Sequence, residues 1–294
     1  MRKVGTRKRA ENRFVTLSIL ALSLPSLLAA QAPRKIGENL YAFVSANDAS
    51  ANATFLVTRE GILVVDSGLN ETEGKKLLAA IRSISDQPVR YLINTHYHLD
   101  HQGANGIVGP EAIVISAQYT RGQTLELEKR AAAGMRLRAA AVTFNSEVTI
   151  HIGTYDVEVR HLGPAHTMGD AMVYFRQQRA WALGDLFLNH CSPVMDEGSV
   201  DNWVRALDVA LATPAETFVP GHFEIGSRED VQLFRGYLAD LLAQVRAGIS
   251  RGAPLEEIQK QLRTEKYKSF RQYPKYEATF ADNAATIYRQ LSKR

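Results

Sequence analysis

The sequence predicts an α+β fold in which two β-sheets stack face to face and helices cover the outside. Two observations support this prediction. Short apolar, β-prone segments and amphipathic segments come in alternating groups along the 294-residue chain, as expected when each of two sheets carries its own helices. Hydrophobic residues make up 45% of the composition, which is enough for a sizeable core. The chain has no internal repeat and no low-complexity linker.

The first 30 residues are predicted to be a secretory signal peptide. Six lysines and arginines lie within residues 2–13, an apolar run follows over 14–28, and small residues over 29–32 suit cleavage. The apolar run is too short to span a bilayer comfortably. We expect cleavage after Ala30, a periplasmic or secreted protein, and no stable membrane anchor in the mature chain. An uncleaved N-terminal anchor is the alternative.

The charge of the mature chain argues against a polyanionic partner. Residues 1–30 carry six Lys or Arg and one Glu, so their removal takes the formal net charge from +4 to −1. The high pI therefore comes from the leader, and we expect a small-molecule substrate and no nucleic acid. Cys191 is the only cysteine, which excludes an intrachain disulfide. The oligomeric state is left open.

The first half of the mature chain is predicted to alternate between strands and two helices. The predicted strands are 39–44, 54–58, 61–65, 89–93 and 112–116. Arg59 and Glu60 separate two of them as a hairpin turn would. One helix is predicted over 71–84 from its apolar periodicity, and a second over 118–141, which is rich in Ala, Arg, Glu and Leu.

The second half repeats this order of strands and then helices. The predicted strands are 148–152, 156–162, 171–176, 180–183 and 217–219, and the predicted helices are 200–211, 228–248, 254–263 and 276–291. Ser199 is expected to cap the first of these helices. The folded domain is predicted to cover 31–294, with 254–294 as a helical extension at its C-terminal end.

The segment Asn94–His101 carries the densest group of metal-ligand side chains. His96, His98, Asp100 and His101 lie within six residues, although the whole chain has only eight histidines. They follow the predicted strand 89–93, and ligands collect at such strand ends in α/β proteins. His96 and His98 face the same way in extended backbone, whereas Asp100 and His101 diverge. This arrangement suits two neighbouring metals, and imidazole favours zinc.

Three later strand ends each carry one more residue of a metal-ligand type. His166 follows Gly163-Pro164, Asp185 follows Gly184, and His222 follows Pro220-Gly221. These small or turn-forming residues fit tight turns that bring the backbone close to a site.

The combined pattern resembles the metallo-β-lactamase superfamily. The H-x-H-x-D-H motif, the three later residues and Asp66-Ser67-Gly68 all match it, over about residues 39–222. The resemblance implies a four-layer αββα sandwich with additional C-terminal helices, and two Zn²⁺ per chain, with Fe or Mn as other possible metals. It implies that Asp66 holds the histidine-rich loop. The implied ligands are His96, His98 and His166 for the first metal, Asp100, His101 and His222 for the second, and Asp185 as the bridge.

One position departs from a branch of this family. β-Lactamases with a cysteine ligand have Cys where Asp185 stands and a substrate-binding lysine three residues later, where this chain has Leu188. Cys191 lies too far along the chain to replace that ligand. A bridging aspartate is typical of glyoxalase-II-like hydrolases. The segment 163–170 and the segment around Asn189, Pro193 and Trp203 instead resemble periplasmic lactamase-like hydrolases, including quinoprotein-associated ones. The resemblance therefore identifies the superfamily and leaves the substrate open.

The implied function is a secreted hydrolase with two zinc ions. A hydroxide shared by the metals would attack the carbonyl of an amide or β-lactam, or of an ester or thioester. Asp100 is the predicted catalytic residue, since this ligand could also orient the nucleophile or accept its proton. Asn189 and His190 are predicted substrate contacts. The alternatives are an iron-containing oxidoreductase of the same fold, a phosphodiesterase, and a metal-binding protein without catalytic activity.

Overall fold

The computed structural model describes residues 32–132, 134–272 and 279–292, together with Met1. The predicted signal peptide therefore lies outside the described residues, apart from Met1. Within the described ranges, none of the helices has the length and apolar character needed to cross a bilayer. The architecture is an α+β sandwich of two main sheets with helices on the outer faces, as the sequence predicts.

The first sheet has seven strands whose spatial order follows the chain. They are β1 (Arg34–Gly37), β2 (Leu40–Phe43), β3 (Ala53–Thr58), β4 (Gly61–Val65), β5 (Val89–Ile93), β6 (Ile113–Ala117) and β7 (Val142–Phe144). The pairs from β1 to β4 are antiparallel, and those from β4 to β7 are parallel. The predicted hairpin is confirmed, with Thr58 paired to Gly61. The edge strands β1 and β7 were not predicted, because they have only four and three residues.

The second sheet has five strands in the order β13-β11-β10-β9-β8. Their bounds are β8 (Glu147–Ile152), β9 (Tyr155–Arg160), β10 (Met172–Phe175), β11 (Ala180–Leu188) and β13 (Thr217–His222). Only the β11–β13 pair is parallel within this sheet. A separate two-residue strand, β12 (Cys191–Ser192), pairs with β14 (Arg271–Gln272).

Helices cover both outer faces and complete the four layers. The α-helices are α1 (Glu71–Arg82), α2 (Leu99–Gln102), α3 (Asn105–Val108), α4 (Gln118–Glu128), α5 (Val200–Leu211), α6 (Arg228–Ser250), α7 (Leu255–Lys260) and α8 (Phe280–Ser292). Residues of α1 and α3 pack on the outer face of the first sheet. Residues of α5, α6 and α8 pack on the second sheet. A third apolar cluster fills the space between the sheets. As predicted, the Ser199 hydroxyl caps α5 by accepting from the Asn202 N–H.

The helix predicted over 118–141 is too long, because α4 ends at Glu128. The chain then runs past α1 and past the turn between α2 and α3, and it exchanges backbone hydrogen bonds with both. The Arg136 N–H donates to the Gly103 carbonyl at 2.7 Å, and the Glu71 N–H donates to the Gly134 carbonyl at 2.8 Å. Gly134 has a φ of +92°, which favours glycine. These tertiary contacts override the helix propensity of the alanine-rich segment.

The prediction that Asp185 ends its strand is wrong, because β11 continues to Leu188. The pairing of β11 with β13 shifts on either side of Gly184, whose φ is +51°. A Cβ atom at Gly184 would lie 2.5 Å from Thr95 Oγ1. Glycine therefore allows β11 to kink against the histidine-rich loop, and this kink brings Asp185 to the edge of the sandwich.

Candidate metal centre and pocket

Seven side chains of types that can bind a metal converge at one edge of the sandwich, where the two sheets meet. They come from loops and strand ends that are far apart in sequence: His96 and His98 after β5, Asp100 and His101 in α2, His166 between β9 and β10, Asp185 in β11, and His222 at the end of β13. They divide into two sets, each with its ligand atoms within 4.8 Å of one another.

The first set contains three imidazoles and one carboxylate. Its members are His96, His98, His166 and Asp185. The Nε2 atoms of His96 and His166 lie 3.0 Å and 3.3 Å from His98 Nδ1. Asp185 Oδ2 lies 3.5 Å from His166 Nε2. The four donor atoms therefore lie close enough together to bind one metal ion, and four is the ligand number of a typical zinc site.

The second set contains Asp100, His101 and His222. Asp100 Oδ2 lies 3.0 Å from His222 Nε2 and 3.7 Å from His101 Nε2. The other oxygen of Asp185, Oδ1, faces this set at 3.2 Å from His101 Nε2 and 3.6 Å from His222 Nε2. Asp185 thus presents one carboxylate oxygen to each set.

The unpartnered atoms of the cluster fit a bound metal. His101 Nε2 and Asp185 Oδ1 are buried and have no hydrogen-bond partner among the described residues. Leaving such a group without a hydrogen bond costs about 1–3 kcal/mol, and the two atoms lie only 3.2 Å from each other. A donor set of only nitrogen and oxygen suits zinc and also accepts iron. The residues therefore fit a divalent metal on chemical grounds.

Burial keeps the first set of imidazoles neutral. It lowers the pKa of His166 to about 3 and the pKa of His96 well below its usual value. Neutral imidazole is the form that binds metal. Burial alone would also lower the pKa of His101, but the carboxylates of Asp185, Asp66 and Asp100 outweigh it and raise that pKa. The carboxylates around the second set therefore favour a positive charge at His101. A bound metal would supply this charge in place of the proton on the imidazole.

Asp66 holds the histidine-rich loop from behind. Its Oδ1 accepts from the Thr95 N–H at 2.9 Å, and its Oδ2 accepts from the Thr95 hydroxyl at 2.7 Å. The same Oδ2 lies 2.8 Å from His101 Nδ1. A carboxylate on the far nitrogen fixes the ring of a ligating histidine and directs its Nε2 toward the metal. This is the position that the resemblance implies for Asp66.

Two supporting residues were missed in the sequence. Asp170 accepts from both the N–H and the hydroxyl of Thr167, each at 2.7 Å, and so closes the loop that carries His166. The Asn52 side chain donates to the carbonyls of Pro220 and Phe223 at 3.1 Å and 2.8 Å, on either side of His222. The Thr-x-x-Asp spacing after His166 is a local signal for the first. Asn52 lies 168 and 171 residues from its two partners, so no local pattern reports it.

Asn189 and His190, the predicted substrate contacts, are not among the residues that line the pocket over this cluster. The Asn189 amide donates to the Glu224 carbonyl at 3.0 Å, and His190 Nε2 lies 3.0 Å from Asp230 Oδ1 at the start of α6. His190 has a φ of +50°, so the chain turns there. At this turn the His190 side chain faces Asp230 at the start of α6.

A pocket of about 380 Å³ opens over the cluster. His98, Asp100, His166 and Asp185 form its floor. Tyr97 is part of its wall. The aliphatic side chains and methionine that complete most of the wall are Leu69, Leu99, Leu127, Met135, Leu188 and Val194. This volume is that of a small-molecule site.

Comparison with known proteins agrees with this geometry. The model of the family described as the metallo-beta-lactamase superfamily matches residues 46–222. The chain is 26% identical over 195 residues to the 2,4-dinitroanisole O-demethylase subunit alpha of Nocardioides sp. (strain JS1661), covering 64% of this chain and 58% of that protein. It is 23% identical over 180 residues to the metallo-beta-lactamase IND-1 of Chryseobacterium indologenes, covering 60% of this chain and 72% of that protein.

A solved structure matches a larger part of this chain than these two sequence relatives do. The stereoselective inverting sec-alkylsulfatase Pisa1 from Pseudomonas sp. has a TM-score of 0.70 at 14% identity, covering 88% of this chain and 50% of that one. This chain thus spans less than two thirds of both the demethylase subunit and the sulfatase. At this identity the structural likeness concerns the fold.

Proposed function

This chain belongs to the metallo-β-lactamase superfamily, and on that premise we propose that it is a hydrolase whose seven converging side chains hold two zinc ions. The proposed substrate is an amide or β-lactam, or an ester or thioester. The observation that carries the proposal is the orientation of Asp185, with Oδ1 3.2 Å from His101 Nε2 and Oδ2 3.5 Å from His166 Nε2. One carboxylate that faces two donor sets suits a pair of metals.

The chain's own residues would position the reactants around these metals. When bound, zinc supplies Lewis acidity and lowers the pKa of water to about 7. The Asp100 side chain is 21% exposed and lies on the pocket floor, where it can orient an attacking water toward a carbonyl. Asp66 keeps His101 in one orientation. The apolar wall excludes bulk water from the reacting atoms, which strengthens electrostatic interactions within the site.

A metal analysis and a hydrolysis panel test the proposal. Mature protein would be loaded with zinc, freed of excess metal and assayed on nitrocefin, a glutathione thioester, a lactone and a phosphodiester. We expect about two zinc ions per chain and turnover of a carbonyl substrate that a chelator abolishes. Turnover of the phosphodiester alone would favour the phosphodiesterase alternative. Iron bound in place of zinc in protein from the native host would favour the oxidoreductase.

Cleavage of an aryl methyl ether is the second candidate function. It is favoured by the similarity to the 2,4-dinitroanisole O-demethylase subunit and by the apolar wall of the pocket. Adding 2,4-dinitroanisole to the panel tests it, because demethylation releases the coloured 2,4-dinitrophenolate. Metal-dependent release with no turnover of any carbonyl substrate would replace our first proposal by this one.

We propose further that the protein acts outside the cytoplasm. The support is the basic segment 2–13 followed by the apolar run 14–28 and small residues. N-terminal sequencing of protein from the native host should find a mature chain that begins near Gln31. An intact leader on cytosolic protein would contradict export without affecting the proposed chemistry.

A further inference from the structure

The pocket wall beyond the metal-ligand cluster is apolar. Leucine, methionine and valine side chains reach it from both halves of the chain, including Leu127 at the end of α4 and Leu188 at the end of β11. In the described part of the chain, neither lysine nor arginine lines this pocket. An anionic group on that part of a substrate would therefore lose its water and gain no cationic partner.

The cations that stand near the wall in sequence are engaged elsewhere. Arg136 follows Met135, but its guanidinium donates to the Met135 carbonyl at 2.9 Å and lies 3.4 Å from the Glu71 carboxylate. Lys129 comes two residues after Leu127, and its Nζ lies 2.7 Å from Glu126. Neither can reach into the pocket without giving up these partners.

The charge at the rim of the pocket is negative. Asp196 is exposed and lines the pocket. The neighbouring residue, Glu197, accepts from the Tyr119 hydroxyl at 3.3 Å. The Tyr119 ring lies 6.2 Å from the ring of Tyr97, which is part of the wall. Carboxylates beside aromatic rings favour a cation over an anion.

We propose that the pocket selects substrates whose acyl part is apolar and carries no negative charge at the end distant from the metals. Neutral chains fit the apolar wall, and a cationic end is tolerated because of Asp196 and Glu197. This inference rests on the proposed function, since it names the substrate class of the same site. The charge preference applies only to the end of the acyl part that is distant from the metals. An anionic group at the scissile end would instead contact the metals.

A matched series of esters tests the inference. Three p-nitrophenyl esters would share the leaving group and acyl-chain length and differ at the far end, which is a methyl, a trimethylammonium or a carboxylate group. With zinc-loaded protein we expect kcat/KM for the methyl and trimethylammonium esters to exceed that for the carboxylate ester by about tenfold or more. Equal or faster turnover of the carboxylate ester would overturn the inference.

Charge-exchange variants test whether the preference against the carboxylate ester depends on Asp196 at the pocket rim. Asp196→Lys should raise kcat/KM for the carboxylate ester relative to the methyl ester by about threefold or more. Asp156→Lys is the matched control, because it makes the same change in net charge at an exposed position of β9 where Asp156 pairs with His151. We expect the control to leave the ratio unchanged. If both variants change this ratio equally, the preference follows the net charge of the protein, and Asp196 at the rim has no specific part in it.

A binding measurement separates this inference from the proposed function. The three corresponding methyl ketones cannot be hydrolysed, and their affinities for zinc-loaded protein can be measured by calorimetric titration. If the ketones bind in the expected order but no carbonyl substrate is turned over, the charge preference stands and the hydrolase proposal fails. If the esters are turned over without regard to charge, the hydrolase proposal stands and this inference fails. Failure of all three ketones to bind also overturns it.

Discussion

At the scale of single residues, Asp185 and Cys191 have opposite environments although they lie six positions apart. Asp185 presents one oxygen to each donor set, and Oδ1 has no hydrogen-bond partner among the described residues. Cys191 is buried, and its thiol lies 3.4 Å from the Ser192 carbonyl. The sequence predicts Asp185 and not Cys191 as a ligand, and the structure brings Asp185 to the cluster.

We expect Asp185→Ala to lower zinc content and to reduce hydrolysis by about 100-fold or more, because two cations would then face each other without the carboxylate between them. Cys191→Ala should leave both properties nearly unchanged. Metal analysis of the two purified variants, with turnover of the best panel substrate, is the measurement. Metal loss in Cys191→Ala with retention in Asp185→Ala would reverse the assignment.

The thiol of Cys191 should be unreactive in the folded protein. Burial raises the pKa of Cys191 to about 12, and the thiolate is the reactive form. Alkylation by iodoacetamide should therefore stay slow between about pH 7 and 9, whereas guanidinium-unfolded protein, with a pKa of about 8.5, should react quickly. Because the unfolded thiol ionises first, the free energy of unfolding should fall as pH rises above about 8.5. Rapid labelling of folded protein at neutral pH would contradict this burial.

At the scale of secondary-structure elements, the kink of β11 depends on Gly184. Its φ is +51°, and a Cβ atom there would lie 2.5 Å from Thr95 Oγ1 and 2.7 Å from Thr95 Cβ. The strand could relieve this contact only by moving away from the histidine-rich loop. Such a movement would also shift Asp185, the next residue.

Gly184→Ala should therefore lower the free energy of unfolding by about 1–3 kcal/mol and weaken zinc binding. The matched control is Gly122→Ala in α4, where a Cβ atom meets nothing within 4 Å. There we expect a gain of about 0.5–1 kcal/mol, since alanine favours helix over glycine. Urea unfolding of both variants and a chelator titration are the measurements. A Gly184→Ala protein with unchanged stability and metal affinity would exclude this role for the kink.

Helix α8 binds Ser192 and Pro193 through hydrogen bonds. These residues begin the loop whose next residues, Val194 and Asp196, line the pocket. The Asn283 amide nitrogen lies 2.9 Å from the Pro193 carbonyl, 3.1 Å from Ser192 Oγ and 2.7 Å from the Tyr237 hydroxyl. All these groups belong to one buried network, so the C-terminal helices support the pocket as well as the core.

Asn283→Leu should cost about 2–3 kcal/mol of stability, because buried acceptors lose their donor. We expect KM for the methyl ester to rise more than kcat falls, since the loop borders the pocket and supplies no metal ligand. Arg289→Ala, an exposed change on the same helix, is the control and should leave KM unchanged. A fall in kcat with an unchanged KM would contradict this role of α8.

At the scale of the whole molecule, the metal-ligand cluster joins the two sheets. His96 and His98 follow β5 of the first sheet, whereas Asp185 and His222 belong to strands of the second. The Asn52 N–H donates to the Gly221 carbonyl at 2.7 Å and ties the same sheets together beside the site. Bound metal should therefore stabilise the sandwich as a whole.

Metal removal should lower the melting temperature. A ligand at 100 times its Kd stabilises the folded state by about 2.7 kcal/mol. At about 2–4 °C per kcal/mol, chelation of even one such metal should lower the melting temperature by roughly 5–10 °C. Calorimetry with and without EDTA checks this, and Asp185→Ala should show a smaller shift. An unchanged melting temperature on chelation of wild-type protein would contradict a metal that bridges the sheets.

The sequence by itself determined the superfamily, the two-sheet architecture and the seven side chains that converge. It could do so because H-x-H-x-D-H is compact, and because a small or turn-forming residue precedes each later ligand. Helix and strand periods are also local properties, so the hairpin at Thr58 and Gly61 and the cap at Ser199 were predictable.

Only the tertiary structure decided which oxygen of Asp185 faces which donor set, where α4 ends, and which side chains line the pocket. Leu69, Leu127 and Leu188 are ordinary leucines in the sequence, and they become one wall only because the sheets and loops bring them together. Asn189 and His190 lie near Asp185 in the chain but point elsewhere, because the backbone turns at His190. Local patterns report backbone period and turn chemistry, whereas the distances between remote segments depend on how the whole core packs.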